Sequence, residues 1–277
     1  MLIMDSAMKH DNVDVVPISP VIGAQIRGVD LSESLSDARF ASVHEAWIKH
    51  KVLAFPGQNL THAQFKDFAA RFGEPYALPL GPGREGNTAV HELRADENSK
   101  HAFGETWHSD MSSEDLPPMG TMLRLVQVPP HGGGDTMFAD MYAAYDSLSD
   151  RMKSLIDGLT AKHDSSVLAR KYGIAQNLPS AVHPVVRTHP VSRRKCLYVN
   201  TRFTSCIDEM KERESRAVLD FLFRHVAETP DFQLRFRWSL NTLLLWDNRC
   251  TQHCAIFDYW PHTRVGYRIM IRGDKPY

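Results

Sequence analysis

Phe232-Gln233-Leu234-Arg235-Phe236-Arg237-Trp238-Ser239-Leu240 puts an apolar residue at every second position and a polar one between each pair. Side chains of an extended chain alternate between faces, so the stretch predicts a strand with one face in a core and the other in water. Short extended segments continue on both sides. Downstream, residues 242–246, 251–256 and 264–272 are parted by Asp247-Asn248 and by a loop around Pro261. Upstream, strands are expected at 51–55, 88–93, 119–128, 135–138, 159–163, 185–188 and 197–200, with 13–19 and 21–29 extended. Helices fit four places: from a Ser36 cap to His50, from a Thr61 cap through Phe72 to a stop at Gly73, at 141–158, and at 211–227. Many short strands with turn signals and few helices predict a mainly β protein with flanking helices and a double-stranded β-helix (jelly-roll) core. With no repeat or linker in the sequence, residues 1–277 are read as one domain.

Of the 277 residues, 43% are hydrophobic and 23% charged, enough to close a substantial core. Lys and Arg number 32 against 33 Asp and Glu, a net charge of -1. No broad cationic field exists to gather phosphates or anionic lipid, so nucleic-acid and membrane partners are not expected. Asp5, Lys9, His10 and Asp11 interrupt the start of the chain where a secretory signal would be apolar. Four cysteines without a C-x-x-C pair suit a reducing compartment, and a cytoplasmic location is the expectation. Cys250, His253 and Cys254 fall within five residues and invite a zinc reading, but a closed zinc site ordinarily needs a second, distant ligand pair.

The chemistry centres on Trp107-His108-Ser109-Asp110, which holds the only H-x-D of the chain. On an extended segment His108 and Asp110 share a face, which sets an imidazole and a carboxylate side by side as metal ligands. His253, 145 residues downstream, has the best setting for a third ligand. Two His and one carboxylate leave adjacent coordination positions open, the arrangement of non-haem Fe(II) oxygenases. A buried, hydrogen-bonded strand histidine is the competing reading of His253. In residues 264–272, period-two geometry sends Arg264, Arg268 and Arg272 to one face and Val265, Tyr267, Ile269 and Ile271 to the other. If the aliphatic set meets an outer layer, Arg264 and Arg268 line the cavity; otherwise the three make a solvated cationic face. His131-Gly132-Gly133-Gly134-Asp135-Thr136 supplies a flexible turn ending in a hydroxyl, without the Lys and helix of a phosphate loop.

In this order, the pieces resemble the taurine dioxygenase and dichlorophenoxyacetate dioxygenase family of Fe(II)- and 2-oxoglutarate-dependent oxygenases. The likeness runs from Val21-Ile22-Gly23-Ala24-Gln25-Ile26 through the H-x-D segment, Gly133-Gly134-Asp135-Thr136, His183-Pro184-Val185-Val186-Arg187-Thr188-His189-Pro190, Trp246-Asp247-Asn248-Arg249 and Gln252-His253 to Gly273-Asp274-Lys275-Pro276. The resemblance implies Fe(II) on His108, Asp110 and His253, and the distal carboxylate of 2-oxoglutarate on Thr136 and Arg264. With O2 as oxidant, it implies hydroxylation of a small anionic substrate and release of succinate and CO2. Arg268 would take the substrate's acidic group, and Phe203 resembles a pocket-wall aromatic. Leu78 and Gly104 stand where the taurine enzymes carry an amine-binding His and Asn, so the resemblance implies an aryl or alkyl body rather than an ammonium. A sulfonate, alkyl sulfate or aryloxyalkanoate is the expected substrate, residues 165–181 the expected lid, and a homo-oligomer is compatible with the family. Competing expectations are a taurine dioxygenase proper, an anion-binding barrel without turnover, and a zinc hydrolase on the same ligands.

Overall fold

The computed structural model describes residues 13–76, 89–166 and 178–277. Its main sheet runs in the spatial order β1 (Asp14–Pro17), β2 (Ala24–Arg27), β3 (Val52–Phe55), β14 (Leu243–Asp247), β6 (Gly120–Gln127), β16 (Arg264–Ile271), β4 (Pro75–Tyr76), and β5 (His91–Ala95) joins β16. A second sheet of β13 (Gln233–Phe236), β7 (Thr136–Asp140) and β15 (Thr251–Ala255) faces it. Two smaller sheets complete the strands: β12 (Thr204–Ile207), β8 (Thr160–Asp164) and β9 (Ser180–Pro184), then β10 (Val186–Thr188) with β11 (Lys195–Leu197). This is the jelly-roll core with helices outside that the alternation predicts.

Alternation explains how the main sheet is covered on both sides. Leu243 and Leu245 of β14, Leu53 and Phe55 of β3, and Ile269 and Ile271 of β16 point outward. They pack against Trp47 of α1 (Asp37–His50) and against Phe65 and Phe68 of α2 (His62–Ala70). Leu244, Trp246, Val52, Ala54, Leu123 and Leu125 point the other way and meet Phe138 and Leu234 of the facing sheet. Doubly covered strands read as continuous apolar runs, which is why residues 243–246 are apolar throughout. On β16 the inward positions are Arg264 and Arg268, so Tyr267, Ile269 and Ile271 meet the outer helices and the two guanidinium groups turn inward, as one of the two readings required.

Several boundaries differ from the sequence reading. The alternating stretch is a ladder only over Gln233–Phe236, because its partner begins at Thr136, one residue after three glycines with positive φ. Leu240, expected inside, is 54% exposed. Residues 141–158 form two helices, α3 (Met141–Asp146) and α4 (Asp150–Ile156), since the Ser149 hydroxyl accepts from Met152 N and starts a new one. The later helix, α5 (Glu212–Glu228), is placed as expected. The strand expected at 197–200 is Lys195–Leu197, and the one at 88–93 is His91–Ala95. β9 and β12, neither expected, flank β8. Among the described residues no helix is long and apolar enough to cross a membrane.

Candidate active site

His108 and His253 meet through their backbones. They form an isolated antiparallel bridge in which each N–H donates to the other's carbonyl, at 3.0 and 2.8 Å. Opposed residues of such a bridge send side chains the same way, and the two imidazole centres lie 4.1 Å apart. Asp110 shares that face, with Oδ1 3.8 Å from His108 Nε2 and 3.9 Å from His253 Nε2. The three buried residues thus present donor atoms within 4.8 Å of one another.

Each ligand is held by its neighbours. The Thr106 carbonyl can only accept, so His108 Nδ1 carries the hydrogen of their 2.7 Å bond and Nε2 presents a lone pair to the site. The His253 ring lies between Trp246, 4.9 Å away, and Phe138, at 6.1 Å. Asp110 Oδ2 accepts from Thr121 Oγ1 at 2.7 Å, which accepts in turn from Asn248 Nδ2 at 2.8 Å. Asn248 Oδ1 then accepts from Trp246 Nε1 at 3.0 Å. With Oδ2 engaged, Oδ1 is the oxygen offered to the imidazoles.

Electrostatics makes this a cation site. Burial pushes the imidazole of His253 down to about 4. It also pushes His108 well below its ordinary value, with His253 and Arg202 adding to the effect. Burial would raise Asp110, but His253, Arg268, His108 and the Thr121 hydroxyl outweigh it and hold the carboxyl well below the usual range. At neutral pH the set is therefore two neutral imidazoles and one carboxylate. That donor chemistry fits a divalent first-row metal with positions to spare, the metal type that the resemblance implies.

Arg268 NH1 approaches Asp110 Oδ1 to 3.5 Å, and its buried Nε has no hydrogen-bond partner among the described residues. Among the described residues its only ion pair is with the Asp110 carboxylate, so it stands ready for an anion beside the three donor atoms. Arg264 lies four residues back on the same face of β16. Its Nε donates to Gly134 O at 3.2 Å, and its guanidinium carbon sits 5.6 Å from the Trp238 ring centre. Burial lowers the pKa of Arg264 against weaker support from Tyr259 and Asp135, and among the described residues no acid pairs with it. Thr136 opposes Ala255 in the β7–β15 ladder, while Phe138 opposes His253. The Thr136 hydroxyl therefore lies about 7 Å along β7 from the ligand position, on the same face. A cavity of about 330 Å³, lined in part by Leu93, Phe103, Ala255, Tyr259 and Arg264, opens beside it.

Phe203 is buried, with its ring 6.4 Å from that of His108. Gly104 has φ +92°, and a Cβ there would stand 3.1 Å from His108 Cε1. Leu78 and most of the expected lid lie outside the described residues. The zinc reading is overturned among the described residues. Cys254 follows His253 on a strand and so faces away, and Cys250 packs in the cluster beneath α3 and α5. Cys250 does group with His189 and Asp247. Asp247, however, is already saturated by Arg249 Nε and NH2 at 2.8 and 2.7 Å and by His189 Nε2 at 3.1 Å. Thr121 and Trp238 escaped the sequence reading as site residues; only the strand alternation of 232–240 pointed Trp238 inward.

The match to known proteins extends over this whole arrangement. Residues 14–272 match the model of the taurine catabolism dioxygenase TauD, TfdA family. The chain belongs to the TauD, TfdA family. It is 34% identical to an alpha-ketoglutarate-dependent sulfonate dioxygenase of Saccharomyces cerevisiae, over 95% of this chain and 67% of that protein. It is 32% identical to an alpha-ketoglutarate-dependent sulfate ester dioxygenase of Pseudomonas putida, over 95% of this chain and 91% of the relative. The crystal structure of a taurine dioxygenase from Burkholderia xenovorans superposes with a TM-score of 0.83 at 32% identity, covering 95% of this chain and 92% of that one. As a TauD, TfdA member the protein is an enzyme of the alpha-ketoglutarate-dependent dioxygenase class, built on the family's jelly roll.

Proposed function

We propose that the protein is an Fe(II)- and 2-oxoglutarate-dependent dioxygenase that hydroxylates an alkyl sulfate, alkyl sulfonate or aryloxyalkanoate. In this reading His108 Nε2, Asp110 Oδ1 and His253 Nε2 hold Fe(II), which, when bound, supplies the dioxygen activation that couples decarboxylation of 2-oxoglutarate to oxygen insertion into the substrate. The balance is one 2-oxoglutarate and one O2 consumed, with succinate, CO2 and the hydroxylated substrate formed. The convergence of the three donor atoms carries the reading.

Each other residue has a part that follows from its position. Arg264 and Thr136 bind the distal carboxylate of 2-oxoglutarate: a guanidinium that pairs with no acid among the described residues, beside a hydroxyl about 7 Å from the ligand position, suits a five-carbon dicarboxylate chelated at its other end. Arg268 binds the sulfate, sulfonate or carboxylate of the substrate, which orients a C–H bond toward the centre. Phe203 walls the pocket, and Gly104 leaves the approach to His108 without a side chain. Supporting an anionic head with an apolar body, Gly104 offers no group to an ammonium, which argues against taurine itself. Leu78 is proposed to extend the apolar wall. Hydroxylation at the carbon bearing the ester or ether oxygen, or the sulfur, gives a product that expels sulfate, phenol or sulfite and leaves a carbonyl.

The test is succinate release with Fe(II), 2-oxoglutarate and a panel of alkyl sulfates, sulfonates and aryloxy acids, with and without oxygen. Stoichiometric succinate that depends on oxygen and on one of these anions is the expected result. Cleavage of the anion without oxygen or 2-oxoglutarate would instead indicate a hydrolase, and no turnover with any member of the panel would remove the proposed substrate class.

A further inference from the structure

Trp238 lies two residues beyond the end of β13, 7% exposed and packed edge-on against Phe236 at 5.5 Å between ring centres. Its indole touches both groups that were assigned to the distal carboxylate. Trp238 Nε1 donates to Thr136 Oγ1 at 3.0 Å, and the guanidinium carbon of Arg264 lies 5.6 Å from its ring centre. We propose that Trp238 is the positioning residue of the 2-oxoglutarate distal-carboxylate site, its N–H setting the direction in which Thr136 donates and its ring face holding Arg264. The proposal rests on the reading of Thr136 and Arg264 given above.

The chemistry is one of donors and acceptors. An indole N–H can only donate, so it occupies a lone pair of the Thr136 oxygen and leaves the hydroxyl hydrogen for another acceptor. Among the described residues that hydrogen finds none. A free hydroxyl would rotate among its staggered positions; one that accepts a fixed N–H has its own hydrogen aimed away from the indole. Arg264 is constrained in the same manner. Its Nε is bound to Gly134 O at 3.2 Å and its flank meets the aromatic face, which leaves the terminal NH2 groups for a carboxylate. Gly134 has to be glycine for this packing, since a Cβ there would stand 2.7 Å from Arg264 Cδ. The three-glycine turn thus admits the arginine stem, and the indole orients both donors before the anion arrives.

The experiment compares 2-oxoglutarate with 2-oxopentanoate, which replaces the distal carboxylate by a methyl group, in anaerobic calorimetric titrations of the Fe(II)-loaded protein. Wild type should bind 2-oxoglutarate the more tightly. Trp238→Phe keeps an aromatic face and removes the donor; it should weaken 2-oxoglutarate about tenfold and leave 2-oxopentanoate within about twofold. In a Thr136→Val background the same substitution should add less than about twofold, because the partner through which it acts is gone. A Trp238→Phe protein that keeps the wild-type preference, or a full effect persisting without the Thr136 hydroxyl, overturns the positioning role while leaving the assignment of Thr136 and Arg264 intact. Failure of wild type to prefer 2-oxoglutarate overturns that assignment instead. A second readout needs no substitution at Trp238: in the Zn(II)-loaded wild type its indole N–H resonance should shift with 2-oxoglutarate and stay in place with 2-oxopentanoate. An unmoved resonance also refutes the proposal.

Discussion

Thr121→Val tests whether the proposed metal ligands are held by the hydrogen bonds behind them. The side chain is fully buried, and valine has nearly its shape, so the change removes one oxygen and little volume. Two bonds disappear: the 2.7 Å donation to Asp110 Oδ2 and the 2.8 Å acceptance from Asn248 Nδ2. The first is charge-assisted and short, a class in which each bond contributes about 1.5–3 kcal/mol. Losing it frees the carboxylate to turn, and outer partners of this kind alter metal affinity about 10–100-fold. The second leaves a buried amide hydrogen without its acceptor and costs about 1–3 kcal/mol of fold stability. Mn(II) titration followed by electron paramagnetic resonance reads the affinity, and thermal unfolding of the metal-free protein reads the stability. Thr121→Ser keeps both bonds and serves as control, with metal affinity expected within about threefold of wild type. If the Val variant binds Mn(II) as tightly as the Ser variant does, Asp110 is positioned by something other than Thr121.

Three further outcomes are expected. Arg264→Ala should raise KM for 2-oxoglutarate about 10–100-fold with any primary substrate, whereas Arg268→Ala should do so chiefly for the primary substrate; equal effects on both contradict the two-anion assignment. Gly104→Ala forces a Cβ to 3.1 Å from His108 Cε1 at a φ that L-residues rarely adopt, so Mn(II) affinity should fall at least about tenfold; unchanged affinity would show that His108 can give way. Burial holds His163 down to about 3, with His183 adding to the effect. Because its folded pKa lies below the unfolded value of about 6.5, the unfolded chain takes up the proton first and stability falls as pH drops from about 6.5 toward 3. Melting temperatures of His163→Gln and wild type across that window check this, and the variant should show the shallower acid-side slope.

Much of the centre was legible because chemistry and periodicity coincide in it. His108 and Asp110 are two residues apart on an extended segment, so their shared face follows from strand geometry alone. Arg264 and Arg268 alternate with aliphatic residues, and once helices cover the outer face, the inward direction of both is forced. Other features were hidden in that same pattern. The helix expected over 141–158 breaks at Ser149, since a local cap competes with propagation and hydrophobic periodicity does not register the contest. The strand at 232–240 stops at Phe236 although its alternation continues, because a strand needs a partner and the glycines before Thr136 provide none. Thr121 and Trp238 carry no local mark of their roles, which depend on atoms 11 and 102 residues away.

By itself, then, the order of residues determined the donor types, their spacing and the mainly β architecture, all of which follow from side-chain chemistry and period-two geometry. The tertiary structure alone decided that residue 253 opposes residue 108. That register joins segments 145 residues apart, and a slip of one position would turn the His253 imidazole to the other face and leave Asp110 and His108 without a third ligand.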